Sequence, residues 1–159
     1  MNKIRPFLWF DDKAEEATNY YLSIFKNSRM LSVVRHGEEG PAPAGSVMYT
    51  QFILDGQEFM ALNGGPYFTF SPAISLFVNC ETQAEVDSYW EKLSAGGEKG
   101  QCGWLKDKYG LSWQIVPNGI NEYLHGKDAA GSKRAMDAML KMTKLDLEAL
   151  QKAYFEKTK

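Results

Sequence analysis

Residues 101–117 read QCGWLKDKYGLSWQIVP, and this stretch has the pattern of a β-hairpin. Strand-forming residues lead to a polar segment that ends in Gly110, and a second run of apolar and aromatic residues follows as far as Pro117. A polar turn closed by glycine between two such runs predicts two antiparallel strands. Because alternate side chains of a strand point to opposite faces, Gln114 is expected to share a face with Ser112. The stretch therefore predicts a polar amide in the middle of a returning strand.

The 159-residue chain has the composition of an ordinary globular protein, with 44% hydrophobic and 24% charged residues. Its formal net charge is −2 and its basic residues are scattered, which argues against a nucleic-acid-binding protein, since such proteins concentrate basic residues on one face. No stretch approaches the roughly 20 apolar residues of a membrane span, and no signal peptide is recognisable. The cysteines, Cys80 and Cys102, are too few for a disulfide framework and indicate reduced thiols in a cytoplasmic protein.

The chain repeats one order of elements, in which a strand and a helix are followed by three strands. The first copy has strand patterns over residues 3–10, 28–35, 47–54 and 57–63. Asp11 and Asp12 are predicted to cap the helix that follows the first strand. The second copy begins with a strand over residues 73–79, and Thr82 and Glu85 have the spacing of a helix capping box. We therefore predict two βαβββ modules, an internal repeat of the kind that buries a shared surface.

After Pro117 the sequence becomes helical. A short helix is predicted over residues 118–124, Ser132 is predicted to open a second helix, and Leu145 or Asp146 a third, each with an apolar stripe. These helices are expected to cover a strand edge or to lie across a partner subunit. The two modules and the C-terminal helices together predict an α+β fold in one structural domain. Its parts are a first module over residues 1–66, a second over residues 67–117 and a helical extension over residues 118–159.

Several of these runs resemble a known protein family. They are IRPFLWFDDKAEEATNYY at residues 4–21, FMALNGG at residues 59–65, VNCETQAEVDSYW at residues 78–90 and the hairpin itself. Together they resemble the PhnB-like branch of the vicinal oxygen chelate superfamily, which includes glyoxalase I, extradiol dioxygenases and bleomycin-resistance proteins. Members of this branch often carry the label 3-demethylubiquinone 3-methyltransferase. The resemblance implies that the modules form a cupped mixed β-sheet, the glyoxalase-like fold, and that two chains pair as a homodimer.

The resemblance also implies where a metal would bind. Metal enzymes of the superfamily place one ligand, usually His or Glu, on each of four strands. The matching positions in this chain are Arg5, Phe59, Ala73 and Gln114. Only Gln114 offers an oxygen, and one neutral amide does not hold a catalytic divalent ion. We therefore expect no metal or other cofactor, with a divalent metal as the alternative.

The face of the family's first ligand position, which includes Phe7 and Trp9, is predicted to carry a binding site. A tight turn predicted at Asp55 and Gly56 would pair Thr50 with Ala61 and Phe52 with Phe59. These paired residues and Asn63 are predicted to share the binding face. The predicted ligand-binding residues are Arg5, Phe7, Trp9, Thr50, Phe59, Asn63, Ser75, Phe77, Ser112 and Gln114. An apolar, aromatic surface with few polar groups suits a small, partly apolar molecule. The alternative is that these aromatic side chains simply fill the core.

The leading hypothesis is a metal-independent protein that binds a small molecule, without affinity for nucleic acid or membranes. A metal-dependent lyase or dioxygenase-type enzyme is the second hypothesis, and the methyltransferase of the family label is the third. Usual methyltransferases that use S-adenosylmethionine have a Gly-rich loop after the first strand, whereas residues 11–14 here contain no glycine and the Gly-rich residues 62–66 end a hairpin. The sequence assigns no catalytic base or nucleophile, so it leaves open whether the protein is an enzyme and which ligand it takes.

Overall fold

The computed structural model describes residues 2–156, which form an α+β protein with two four-stranded mixed sheets. The chain divides into two compact units between Phe70 and Ser71. The predicted boundary after Pro66 lies close to this point. The predicted ranges also include Met1 and residues 157–159, which lie outside the described residues. That the units form one structural domain stays a prediction.

The first unit has the predicted order of elements. It consists of β1 (Phe7–Phe10), α1 (Ala14–Ile24), β2 (Arg29–Arg35), β3 (Val47–Leu54) and β4 (Gln57–Asn63). The strands lie in the order β1-β4-β3-β2, with β1 parallel to β4 and the other neighbours antiparallel. The tight turn at Asp55 and Gly56 joins β3 to β4 as predicted, and both of its residues have positive φ.

The start of α1 differs from the prediction. Lys13 occupies the N-cap position and makes no side-chain capping bond. The backbone N–H of Ala14 instead donates to Oδ1 of Asn63, at the end of β4, over 2.8 Å. The predicted cap by Asp11 and Asp12 is therefore wrong, because a side chain distant in sequence satisfies the free amide at this helix end.

The second unit repeats the arrangement of the first. It consists of β5 (Ser75–Cys80), α2 (Gln83–Ser94), β6 (Glu98–Lys99), β7 (Trp104–Lys106) and β8 (Ser112–Pro117), followed by α3 (Ile120–Leu124), α4 (Ala129–Met139) and α5 (Leu147–Phe155). The strand order β5-β8-β7-β6 has the same connectivity, with β5 parallel to β8. The predicted internal repeat is therefore confirmed.

The capping box at the start of α2 is present in part. Oγ1 of Thr82 accepts a hydrogen bond from the backbone N–H of Glu85 over 3.2 Å, as the spacing predicts. The Glu85 carboxylate accepts from the backbone N–H of Glu81 over 2.7 Å, one residue before the position that the motif implies. The bond from Glu85 N–H satisfies one of the amides that the first helical turn leaves without an intrahelical partner.

The hairpin of β7 and β8 is held by a buried carboxylate. Asp107 is 2% exposed. Its Oδ1 accepts hydrogen bonds from the backbone N–H groups of Tyr109 and Leu111 over 2.9 and 3.1 Å. Its Oδ2 accepts from the indole N–H of Trp113 over 2.9 Å. One side chain thus closes the turn and fixes the first large residue of the returning strand.

The C-terminal helices pack within the second unit. Asp146 caps α5 as predicted. The start predicted for α4 at Ser132 is too late, because Asp128 caps this helix and the helix begins at Ala129. A buried cluster of Ile120, Leu145 and Leu150 forms their core, and Val116 of β8 packs against this cluster. The helices therefore cover one end of the second sheet.

Three polar contacts fasten the start of α5 and the residues before it to the start of α2. The Gln83 carboxamide donates to the backbone oxygen of Leu145 over 2.9 Å and accepts from the backbone N–H of Leu147 over 3.0 Å. Lys144 pairs with Asp87 over 2.8 Å. The Lys144 ammonium, together with Gln83, lowers the pKa of the Asp87 carboxyl.

Within residues 2–156, no helix has the length and apolar character that crossing a membrane requires.

Candidate functional site

The strand register assigns the side chains of the first sheet to two faces, since residues paired across neighbouring strands share a face. Phe7 pairs with Met60 and Trp9 with Leu62. These residues lie on the face that points away from the unit's own helix, which we call the distal face of the sheet. The other face packs against α1.

Three predicted ligand-binding residues of the first unit lie on the helix-covered face. The register pairs Thr50 with Ala61 and Phe52 with Phe59, as predicted, but Ala61 also pairs with Leu8, the neighbour of Phe7. The prediction that Thr50, Phe59 and Asn63 share a face with Phe7 and Trp9 is therefore wrong. The error comes from the parallel pairing of β1 with β4, because one residue of offset moves every side chain to the other face.

These three residues have structural contacts. The hydroxyl of Thr18 in α1 donates to the carbonyl of Ala14 over 2.8 Å, so the Thr50 hydroxyl must be the donor in the buried 2.8 Å bond between the two threonines. Phe59 is buried and its ring stacks on Phe52 at 5.6 Å. Asn63 caps α1, as described above, and also donates to the carbonyl of Val47 over 3.2 Å.

The distal face of the first sheet is aromatic and partly exposed. Phe7 is 52% exposed. The Trp9 indole N–H donates to the carbonyl of Gly65 over 2.9 Å, and Phe68 packs edge-on against its ring at 5.0 Å. A Cβ at Gly64 would lie 2.3 Å from the Trp9 ring, so only glycine permits this approach. Trp9 is thus fixed in place beside an exposed phenyl ring.

Arg5 precedes β1 and lies within 3.9 Å of the Glu58 carboxylate. Both side chains are about one-fifth exposed, with values of 21% and 18%. Arg5, which was predicted to bind a ligand, is therefore placed beside a carboxylate of the protein itself.

The Gly-rich segment after β4 uses its amides within the protein. The backbone N–H of Gly64 donates to Phe10 over 2.9 Å, and that of Gly65 donates to Asp11 over 3.2 Å. No helix begins after this segment before β5 in the described chain. A cofactor-binding glycine loop needs free amides at a helix start, so this segment does not have that form.

The second sheet brings together all four predicted residues of the second unit. Ser75 pairs with Ser112, and Phe77 pairs with Gln114, so the four share the distal face of this sheet. Its other face carries the buried side chains of Leu105, Trp113 and Ile115 and packs against α2. The shared face predicted for these residues is confirmed, while their ligand-binding role stays a prediction.

Gln114 lies in the middle of a row of three side chains across β5, β8 and β7. Phe77 is its neighbour on one side and Trp104 is its neighbour on the other. Phe77 is 53% exposed, while Trp104 and Gln114 are half-buried. The Gln114 Nε2 donates to Oγ of Ser75 over 2.9 Å. The predicted ligand set lacked Trp104, which the alternation of β7 and the hairpin register would have placed beside Gln114.

Ser112 carries an unpaired polar group. The residue is 1% exposed, and its hydroxyl has no hydrogen-bond partner within residues 2–156. A buried hydroxyl without a partner costs free energy, and such groups are uncommon in native proteins. A functional role is one of the physical explanations for such a group in a native protein.

The charged side chains on this face are Glu98 and Lys106. They are partners in the register of β6 and β7, and both are exposed. Lys106 also pairs with Ser112 across β8. Because the two charges are opposite and adjacent, the face has no net charge around Gln114.

The described side chains do not fit a metal centre. No group of three His, Cys, Asp or Glu residues within 2–156 is arranged to hold a metal ion. Of the four positions carried over from the superfamily, Phe59 lies on the helix-covered face, Ala73 lies in the exposed segment before β5, and Arg5 lies against Glu58. The side chains next to Gln114 on its face offer no donor atoms beyond hydroxyl oxygens, a donor set too weak for a divalent cation.

Neither thiol forms a disulfide in this structure. Burial, together with the negative charge of Glu85, raises the pKa of the Cys80 thiol to about 11. A thiol with this pKa stays protonated at neutral pH and is a poor nucleophile.

Two matched substitutions distinguish the unpaired hydroxyl from a paired one. We expect Thr50→Val to lower the free energy of unfolding by about 1 kcal/mol, because it removes the donor to Thr18. We expect Ser112→Ala to leave this free energy unchanged or to raise it by up to about 1 kcal/mol, because no bond is lost. Urea unfolding followed by circular dichroism measures both. A loss above about 1 kcal/mol for Ser112→Ala would mean that its hydroxyl is bound in the folded protein.

Comparison with protein families gives one match over most of the chain. The family model described as 3-demethylubiquinone-9 3-methyltransferase matches residues 2–116. The solved structure of the PhnB protein from Bacillus cereus, which carries the same description, is 43% identical. The alignment covers 73% of this chain and 99% of that chain, with a TM-score of 0.68. No functionally curated protein matches the sequence.

More distant structures share the fold. Protein PA1353 from Pseudomonas aeruginosa is 20% identical, over 74% of this chain and 98% of that chain, with a TM-score of 0.61. The fosfomycin resistance protein FosX from Listeria monocytogenes, complexed with Mn(II) and sulfate, is 16% identical, over 78% and 95% of the two chains, with a TM-score of 0.52. The predicted glyoxalase-like fold is therefore confirmed.

Proposed function

The chain belongs to the family described as 3-demethylubiquinone-9 3-methyltransferase, the PhnB-like branch of the vicinal oxygen chelate proteins, and we propose that it binds a small, partly apolar molecule without a metal. The proposed site is the distal face of the second sheet. Its principal residues are Ser75, Phe77, Trp104 and Gln114.

One observation carries this proposal. The row of Phe77, Gln114 and Trp104 places a single carboxamide between two aromatic side chains on a surface that is only partly covered. An apolar surface with a few convergent polar groups is the usual composition of a small-molecule site. The buried, unpaired hydroxyl of Ser112 on the same face supports the proposal, because the fold tolerates its cost at this place.

A divalent metal is the alternative cofactor. Mn(II) is bound by the fosfomycin resistance protein, which shares the fold with this chain at 16% identity. The predicted counterpart of the last superfamily ligand in this chain is the neutral Gln114, and the side chains next to it on the distal face add no donor atoms beyond hydroxyl oxygens. We therefore propose binding that does not depend on a metal.

Methyl transfer is the activity in the family description. Its usual cofactor is held by free backbone amides of a Gly-rich loop at the start of a helix. The amides of Gly64 and Gly65 are instead bonded to the backbone at the end of β1 and directly after it. No observation on the described residues favours this activity over binding alone.

We also propose a cytoplasmic homodimer. The thiols of Cys80 and Cys102 are free, which suits a reducing compartment. The described chain exposes large apolar side chains, such as Ile4, Tyr67 and Ile74, of the kind that subunit interfaces bury.

The binding site is tested by titration of the full chain with phenol, benzoate and benzamide, followed by two-dimensional ¹H–¹⁵N NMR. We expect at least one of these compounds to shift the resonances of Phe77, Trp104 and Gln114 in a saturable way. Gln114→Leu should weaken that binding at least about fivefold, because it removes the hydrogen-bonding group and keeps a side chain of similar size.

Gln101→Leu is the matched control, since Gln101 is an exposed glutamine of the same unit outside the strands. It should leave the binding unchanged. Saturable shifts confined to other parts of the chain, or none at all with any of the three compounds, would refute the proposed site.

A further inference from the structure

The hydrogen-bonding capacity of Gln114 is only partly used. A glutamine side chain has two N–H donors and one carbonyl oxygen. One donor is bonded to Ser75, and Oε1 accepts no hydrogen bond from any other residue between 2 and 156. The bond to Ser75 fixes the orientation of the carboxamide, with Oε1 and the second N–H left for another molecule. Oε1 and the second N–H of Gln114 therefore present one acceptor and one donor of the same amide group to a ligand.

The side chains on either side of Gln114 suit a flat molecule. Phe77 and Trp104 lie in the neighbouring strands at the same level of the sheet. Adjacent strands are about 4.8 Å apart, so a ring that contacts either aromatic side chain lies within reach of the carboxamide. An aromatic ligand would therefore contact a ring while its polar edge meets Gln114.

The charges near Gln114 do not favour an ion of either sign. Glu98 and Lys106 are register partners, and their opposite charges act together on the distal face. No other charged residue pairs with β8 in the register of the second sheet. A charged ligand would exchange strong hydration for contact with a neutral amide and hydroxyl groups, which is unfavourable.

We propose that the site binds a neutral, planar aromatic amide, either a carboxamide or a lactam. The ligand N–H donates to Gln114 Oε1, and the ligand carbonyl accepts from Gln114 Nε2. This inference rests on the proposed function, because it gives a ligand class to the same site. Ser75 is a positioning residue, since it holds the carboxamide that the ligand meets.

Four related probes test the ligand class in the full chain: benzamide, N,N-dimethylbenzamide, benzoate and benzamidine. They share one ring and differ in the donors, acceptors and charge of the group attached to it. Benzamide should bind the wild-type protein most tightly, with the other three at least about tenfold weaker, because each lacks a matching donor or acceptor or carries a charge. The chemical shifts of the Gln114 side-chain NH₂ and of the Phe77 and Trp104 amides give the affinities.

Two variants refine the test. Gln114→Glu replaces the amide by an anion that only accepts hydrogen bonds, so benzamidine should become the tightest of the four probes. Ser75→Ala should reduce the discrimination between benzamide and benzoate by several-fold, because the carboxamide loses the bond that orients it. An effect on folding alone would change the affinities for all four probes by the same factor.

Different results would contradict the proposed ligand class and the proposed binding site. If benzoate binds at Gln114 as tightly as benzamide or more tightly, the proposed class is wrong and Lys106 becomes the recognition group, while the binding site stands. If N,N-dimethylbenzamide equals benzamide, the hydrogen bond to Oε1 is refuted. If none of the four probes shifts these resonances, both the ligand class and the proposed function fail.

Discussion

Replacement of Asp107 by alanine is expected to lower the free energy of unfolding by about 4 kcal/mol. The carboxylate accepts three hydrogen bonds while 2% exposed, from two backbone amides of the turn and from the indole of Trp113. Its loss leaves those donors unpaired, and those of Leu111 and Trp113 belong to buried residues. Urea unfolding, with near-ultraviolet circular dichroism as the probe of the aromatic side chains, measures the change.

Two further variants calibrate the Asp107 result. Asp107→Asn keeps one oxygen but presents an NH₂ group as well, so we expect a smaller loss of about 2–3 kcal/mol. Asp137 is exposed and pairs with Lys133 in the preceding turn of α4, so Asp137→Ala should cost less than about 1 kcal/mol. A loss at Asp107 as small as that at Asp137 would contradict the role of the buried carboxylate in the hairpin.

Replacement of Gly97 by alanine is expected to cost about 3 kcal/mol, because β6 and β7 approach closely at this point. A Cβ at position 97 would lie 2.1 Å from the carbonyl oxygen of Lys106 and 2.7 Å from the carbonyl carbon of Asp107. Both contacts are to backbone, so the strands themselves must separate. The pairing of Glu98 with Lys106 should therefore weaken.

Gly37 provides the control for this substitution. A Cβ at that position meets nothing within 4 Å, and Gly37→Ala should be neutral or slightly stabilising. Thermal unfolding compares the two alanine variants, and hydrogen exchange at the Gly100 amide, which donates to the carbonyl of Trp104 over 2.8 Å where β6 meets β7, tests the strand pairing directly. If Gly97→Ala unfolds at the wild-type temperature with unchanged exchange, the close approach does not limit stability.

The repeated order of elements could be predicted because its signals are local. The turn at Asp55 and Gly56 sets the antiparallel register of β3 and β4, and the pairing of Thr50 with Ala61 followed correctly from it. The capping residues Thr82 and Asp146 likewise act on amides two or three residues away. In each case the cause of the register or of the helix start lies within a few consecutive residues.

The faces of the first sheet could not be predicted in the same way. β1 and β4 are parallel and are separated by more than forty residues, and no turn of defined length fixes their offset. An offset of one residue placed Thr50, Phe59 and Asn63 on the distal face, whereas they contact α1 or its side of the sheet. In the second sheet the predicted offset was correct, and its four predicted residues lie together.

The contacts of Gln83 bear on how the two repeats relate to each other. Its carboxamide binds the backbone on both sides of Asp146, much as a neighbouring peptide group would. The second βαβββ repeat is thereby joined to a segment that has no counterpart in the first. If the repeats arose by duplication, they are no longer interchangeable: a chain with two copies of the first repeat would have no partner for these helices.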